Sequence, residues 1–75
     1  MNNLNTELND RWKLDSLNLK ASTFVVYDRL MKKKREFHVP FLCEVRVDSY
    51  MAYITTTHNR IMTLNLNTAE RSFLN

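Results

Sequence analysis

Glycine is absent from this 75-residue chain, and cysteine and proline occur once each. Each shortage excludes something. A loop that cradles phosphate brings its backbone close to the ligand and needs glycine to do so, which removes both a P-loop and a dinucleotide-binding turn. The RNA-recognition signature of basic residue, glycine, aromatic and glycine is removed on the same ground. Turns must instead use Asn, Asp and Ser, which also tolerate a left-handed backbone. The many asparagines are accordingly read as turn formers and polar filler. Cys43 has no second cysteine to pair with, so an internal disulfide is excluded. Together with two distant histidines, His38 and His58, it does not make a clustered ligand set, so neither a metal nor another cofactor is expected. No apolar run approaches the roughly 20 residues that span a bilayer. Residues 1–5 lack the basic stretch and apolar core of a secretory signal. The expected compartment is the cytoplasm, away from membranes.

What is present points to a folded domain. Hydrophobic residues make up 44% and charged residues 25% of the chain, values of a globular protein rather than a disordered one. Residues 1–75 are read as one domain. A domain of about 60 residues buries only about 60% of the surface its unfolded chain exposes, so the core is thin. Small domains compensate with disulfides, metals or partner subunits. With the first two removed, a homodimer or a permanently bound partner is expected.

Hydrophobic alternation places the secondary structure. Phe37, Val39, Phe41, Cys43, Val45 and Val47 alternate with more polar residues, which predicts a half-buried strand over residues 37–47 with Cys43 on the core face. Pro40 cannot donate a ladder hydrogen bond and marks an edge or a bulge. A turn at Asp48 and Ser49 leads to a second strand over 50–57, setting Val47 against Tyr50, Val45 against Ala52 and Cys43 against Ile54. Met62, Leu64 and Leu66 alternate in a third strand over 60–67. A three-residue loop with Asn59 left-handed sets Leu64 beside Ile54 and keeps the apolar residues on one face. Residues 22–35 read as strand or helix. As a strand with a turn at 32–35, they pair Leu30 with Phe37 and Val26 with Phe41. Leu4, Leu8 and Trp12 recur every fourth residue, the spacing of a short amphipathic helix. Asn67 followed by Glu70 resembles a helix cap near the C-terminus. The expected class is α+β: an N-terminal helix on a three- or four-stranded antiparallel meander, with a short C-terminal helical turn.

Charge is the strongest functional feature. Arg29, Lys32, Lys33, Lys34 and Arg35 place five of eleven basic residues within one short segment of a chain whose net charge is +3. Crowded like charges repel and are relieved by an anion, for which a phosphate backbone is the natural source. Arg46 and Arg60 extend this patch if they share its face. The plain alternative is a solvated loop. Aromatic residues could stack bases, yet packing in a thin core accounts for them equally. Trp12, with Leu4 and Leu8, is the expected partner contact. His58 in a turn, near Arg46, Arg60 and Tyr53, is the best available catalytic set. It has no positional motif behind it, so no catalytic residue is assigned and the chain is not expected to be an enzyme.

In size, lack of glycine, asparagine richness and a basic cluster, the chain is similar to small early bacteriophage proteins that inhibit host machinery. Two functions follow as expectations. One is a dimeric basic protein that binds nucleic acid, RNA more than DNA, through its lysine- and arginine-rich hairpin tip. The other is an inhibitor or regulator that docks on a host protein through the Leu4, Leu8 and Trp12 face or a sheet edge.

Overall fold

The computed structural model describes residues 11–74, and all regular structure in them is β. Seven strands follow one another: β1 Trp12–Asn18, β2 Thr23–Asp28, β3 Lys33–His38, β4 Leu42–Asp48, β5 Met51–Thr56, β6 Ile61–Asn65 and β7 Arg71–Phe73. They form two antiparallel meanders, β1-β2-β3 and β4-β5-β6-β7. This corrects the expected α+β class. Leu4 and Leu8 lie outside the described residues. Trp12 opens β1 opposite Asp28, so the four-residue spacing that suggested a helix does not describe it. The pairing of β1 was hard to read because a bulge at Asp15 shifts its register. Trp12, Leu14 and Leu17 face Asp28, Val26 and Phe24, and a spacing of two is followed by one of three.

The segment 37–47 breaks into two strands on different sheets. β3 ends at His38, and Pro40 and the left-handed Phe41 (φ 63°) turn the chain into β4. That connection inverts the alternation, so Leu42 rather than Phe41 reaches the core. A bulge between Leu42 and Glu44 inverts it again, leaving Cys43 exposed and Val45 buried. Two single-residue slips cancel, which is why Phe37, Val39, Val45 and Val47 look like one continuous face. Since Cys43 is exposed and not a core residue, a thiol reagent is expected to modify it in the native protein, at the rate found in denaturant to within about tenfold. Protection that is lifted only by unfolding would place the thiol inside.

Elsewhere the observed register differs from the expected one by two residues. Val47 faces Ala52, Val45 faces Ile54, and Ile54 faces Met62 with Leu64 beside Ala52. A slip of two preserves which face each side chain occupies, so Val45, Ala52, Ile54, Met62 and Leu64 keep the predicted face, while Tyr50, expected opposite Val47, falls in the β4–β5 turn and is exposed. The β5–β6 loop keeps the expected length and the left-handed Asn59 (φ 59°), but it spans 57–59, one residue earlier than a Leu64–Ile54 pairing requires, and Thr56 N–H donates to Arg60 O across it. Residues 22–35 are a β-hairpin, turning at 29–32 rather than 32–35, with Phe24 opposite Phe37 and Val26 opposite Arg35. The C-terminal helical turn is instead the β6–β7 loop. Asn65 Oδ1 accepts from the N–H of Asn67 and Thr68, and Ala69 N–H donates to Asn65 O before the chain reverses at Ala69 (φ 67°).

A left-handed residue sits in each connection between consecutive strands: Ser22, Lys32, Phe41, Ser49, Asn59 and Ala69. A chain without glycine therefore places β-carbons where they crowd a carbonyl, at about 1–2 kcal/mol per residue. Ala69→Gly removes that crowding without removing a contacting side chain. Part of the gain is returned through the freer unfolded chain. The expected result is a rise of about 0.5–1 kcal/mol in denaturant-derived stability.

The two sheets share one core in which Phe24, Val26, Val39, Ile54, Leu64 and Leu66 are fully buried. Trp12 is buried with them, and its Nε1–H donates to Asn67 Oδ1 at 2.9 Å, tying β1 to the β6–β7 loop. Arg71 Nη1 donates to His38 O at 3.0 Å, a second polar tie between the sheets. No helix among the described residues is long and apolar enough to cross a membrane.

Candidate nucleic-acid interface

The basic cluster lies on the β2–β3 hairpin. Arg29 and Lys32 belong to its turn, and Lys33, Lys34 and Arg35 begin β3, one of the two edge strands of its sheet. All five are exposed. Alternation sends the three strand cations to both sides of the edge. Lys33 and Arg35 pair with Asp28 and Val26 on the core side, while Lys34 pairs with Tyr27, itself opposite Lys13, on the outer side. Lys34 Nζ reaches Asp15 Oδ2 at 3.4 Å, and both side chains are well exposed. Such a pair is worth about 0–1 kcal/mol and is easily exchanged for a phosphate.

The hairpin turn is held by Asp28. Its carboxylate is nearly fully buried and accepts from Arg11 Nε at 2.8 Å and Arg11 Nη2 at 2.9 Å, a bidentate pair. Oδ1 also accepts from the N–H of Leu30 at 3.0 Å and of Met31 at 3.3 Å. These bonds, the Arg11 hydrogen bond foremost, lower the Asp28 pKa to about 2 against the opposing effect of burial. Arg11 also stacks over Trp12, 4.8 Å from the ring centroid. The turn that carries Arg29 and Lys32 is thus anchored to the start of β1 by a charged bond.

Other residues singled out from the sequence fall elsewhere. Arg46 and Arg60 belong to the second sheet, or its loops, and not to the hairpin. Arg46 lies over Tyr53 at 4.9 Å and Arg60 over Phe73 at 4.5 Å. Trp12 is a core residue, so the partner face proposed around it loses its aromatic member. Leu4 and Leu8 are outside the described residues. His38 ends β3 and His58 sits in the β5–β6 loop. Among the described residues, no group of three or more His, Cys, Asp and Glu side chains is placed to hold a metal ion.

One feature was missed by sequence reasoning. A groove of about 430 Å³ is lined by Val39, Pro40, Phe41, Thr56, His58, Arg60, Met62, Arg71 and Phe73. Its lining is apolar and cationic, with no acidic residue in it. Phe41 and His58 meet edge to face with centroids 5.4 Å apart. Phe41 and Phe73 remain 61% and 56% exposed. The alternating pattern had placed Phe41 in the core. Pro40 was the signal that the strand ends there.

No family model, curated protein or solved structure matches this chain.

Proposed function

We propose that this is a non-enzymatic protein that binds nucleic acid, RNA ahead of DNA, through its β2–β3 hairpin. The observation that supports this reading is the exposure of Arg29, Lys32, Lys33, Lys34 and Arg35 on one hairpin, with the turn between them braced by Asp28. A solvated loop would carry the same charges, but the Asp28 bonds hold these in a defined turn, which limits how far they can separate. Phosphates supply the counter-charge, with arginine as a fork and lysine as a point charge. The cations line both sides of an edge strand, so they offer contacts to a backbone that lies along it. RNA is favoured because its loops present unpaired, splayed nucleotides, whose flexible backbone can follow an edge.

The test is a titration of nuclease-treated protein against short single- and double-stranded RNA and DNA at two salt concentrations. Binding should weaken with salt in proportion to the number of phosphates contacted, with log K falling by about 0.7–0.9 per contact for each log unit of salt. An absence of binding at low salt would remove this reading.

A further inference from the structure

We infer that the bound nucleic acid is single-stranded and that one of its bases enters the groove formed by Val39, Phe41, Met62 and Phe73. This rests on the reading of the hairpin as the phosphate-binding element. The hairpin and the groove are joined along one edge strand. β3 begins with Lys33, Lys34 and Arg35 and ends at His38, whose carbonyl accepts from Arg71 of the groove lining. From Lys33 to His38 the strand spans roughly 17 Å at about 3.3 Å per residue. The outer side of the strand carries the exposed acid Glu36, whereas on the core side Lys33 and Arg35 are followed by Phe37 and then by Val39 of the groove. Phosphates laid on these two cations therefore lead toward the arginine at the groove.

The groove's own chemistry fits a nucleotide unit. Two large aromatic side chains, Phe41 and Phe73, are more than half exposed within a single depression, and the Arg60 guanidinium lies 4.5 Å from the Phe73 ring centroid. Single exposed apolar residues are ordinary, whereas aromatics gathered beside cations form a stacking platform. The apolar lining suits the face of a planar ring, and His58 and Arg71, with no acid among the lining residues, suit an attached anion. A volume of about 430 Å³ is in the range of small-ligand sites. A duplex keeps its bases stacked inside and must unstack one to fill such a groove, whereas a single strand offers one freely.

The experiment compares wild type, Phe73→Ala and Phe73→Trp by anisotropy with labelled oligoadenylate, and with the same strand annealed to oligouridylate. Wild type should prefer the single strand. Phe73→Ala should weaken single-strand binding by about 5- to 100-fold, the usual loss of one base stack. It should leave both the salt slope and duplex affinity unchanged. Phe73 is exposed, so its truncation spares the core, and Phe73→Trp guards against a folding artefact. The tryptophan variant should keep its affinity, and its added fluorescence should be quenched by oligoadenylate. Oligodeoxyadenylate should lose affinity on Phe73→Ala by the same factor, because stacking needs no 2′-hydroxyl, and a deoxy strand indifferent to Phe73→Ala would count against the groove. Equal affinity for duplex and single strand, with Phe73→Ala silent, would overturn the groove while leaving the hairpin in place. If wild type binds neither strand form at low salt, both readings fail.

Discussion

Joint replacement of Lys32, Lys33, Lys34 and Arg35 by alanine is expected to weaken single-stranded RNA binding by about 100- to 1,000-fold near 0.1 M salt. Each phosphate neutralised by a cation on a single strand adds about 0.7 to the slope of log K against log salt. Removing four such contacts should therefore flatten the slope by about 3, and at a tenth of molar salt this is close to three decades in affinity. All four side chains are exposed, so the fold should be little affected, within about 0.5 kcal/mol per site. Anisotropy titrations over a salt series, with circular dichroism as the control, give both quantities. Unchanged affinity and slope would leave the hairpin as a solvated loop. A large loss of affinity with an unchanged slope would mean that shape, and not charge, had been removed.

The second large effect concerns stability. Asp28→Ala should cost about 2–3 kcal/mol, because it leaves the Arg11 guanidinium and two turn amides without their acceptor. The figure sits below that for a fully buried pair because the Arg11 side chain is 28% exposed and water can partly replace the carboxylate. In a domain of this size the loss corresponds to a fall of roughly 10–20 °C in the melting temperature. The pH dependence has a definite sign. The folded-state pKa of Asp28 is depressed, to about 2 from an ordinary 3.8, so its contribution is fully present above the unfolded value. It is lost as pH falls through the folded value. Urea midpoints measured from about pH 5 down to about pH 2 should therefore drop more steeply for wild type than for Asp28→Asn, which has no proton to gain there. Parallel profiles would mean that the carboxylate is not held by Arg11. Because Asp28 also accepts from the turn amides, Asp28→Ala should weaken RNA binding by loosening Arg29 and Lys32, while leaving the salt slope nearly intact.

Some of the architecture was legible and some was not, for reasons that differ by segment. Residues 51–66 were readable because their alternation is unbroken from Met62 to Leu66 and because Asn59 is suited to the left-handed position. A two-residue error in pairing did no harm there, since the face of each side chain repeats every second residue. β1 was invisible because its bulge at Asp15 interrupts the period, and because Trp12, its first residue, shares a four-residue spacing with Leu4 and Leu8. Lys32, Phe41 and Ala69 occupy left-handed positions that their side chains do not favour, so local preference gave no warning of the turns there. The C-terminal segment held a genuine capping residue, but it is Asn65, and its side chain closes a loop rather than starting a helix. The hairpin cations were visible as a run in the sequence. The groove was not, because Phe41 and Phe73 are separated by the whole of β4, β5 and β6.

The amino-acid sequence by itself determined the exclusions, the charge and the alternation. The chain holds no glycine-based P-loop or dinucleotide-binding motif, its one cysteine has no second cysteine to pair with, and five cations crowd into one short segment. Local chemistry suffices for these because each depends on residue type or near neighbours. The tertiary structure decided the division into two sheets, the exposure of Cys43, the burial of Trp12 beside Asn67 and the approach of Arg71 to His38. These depend on where one-residue slips fall and on which sheets meet. A slip moves every following side chain to the other face, and its position is chosen by the packing of distant strands rather than by the residues beside it.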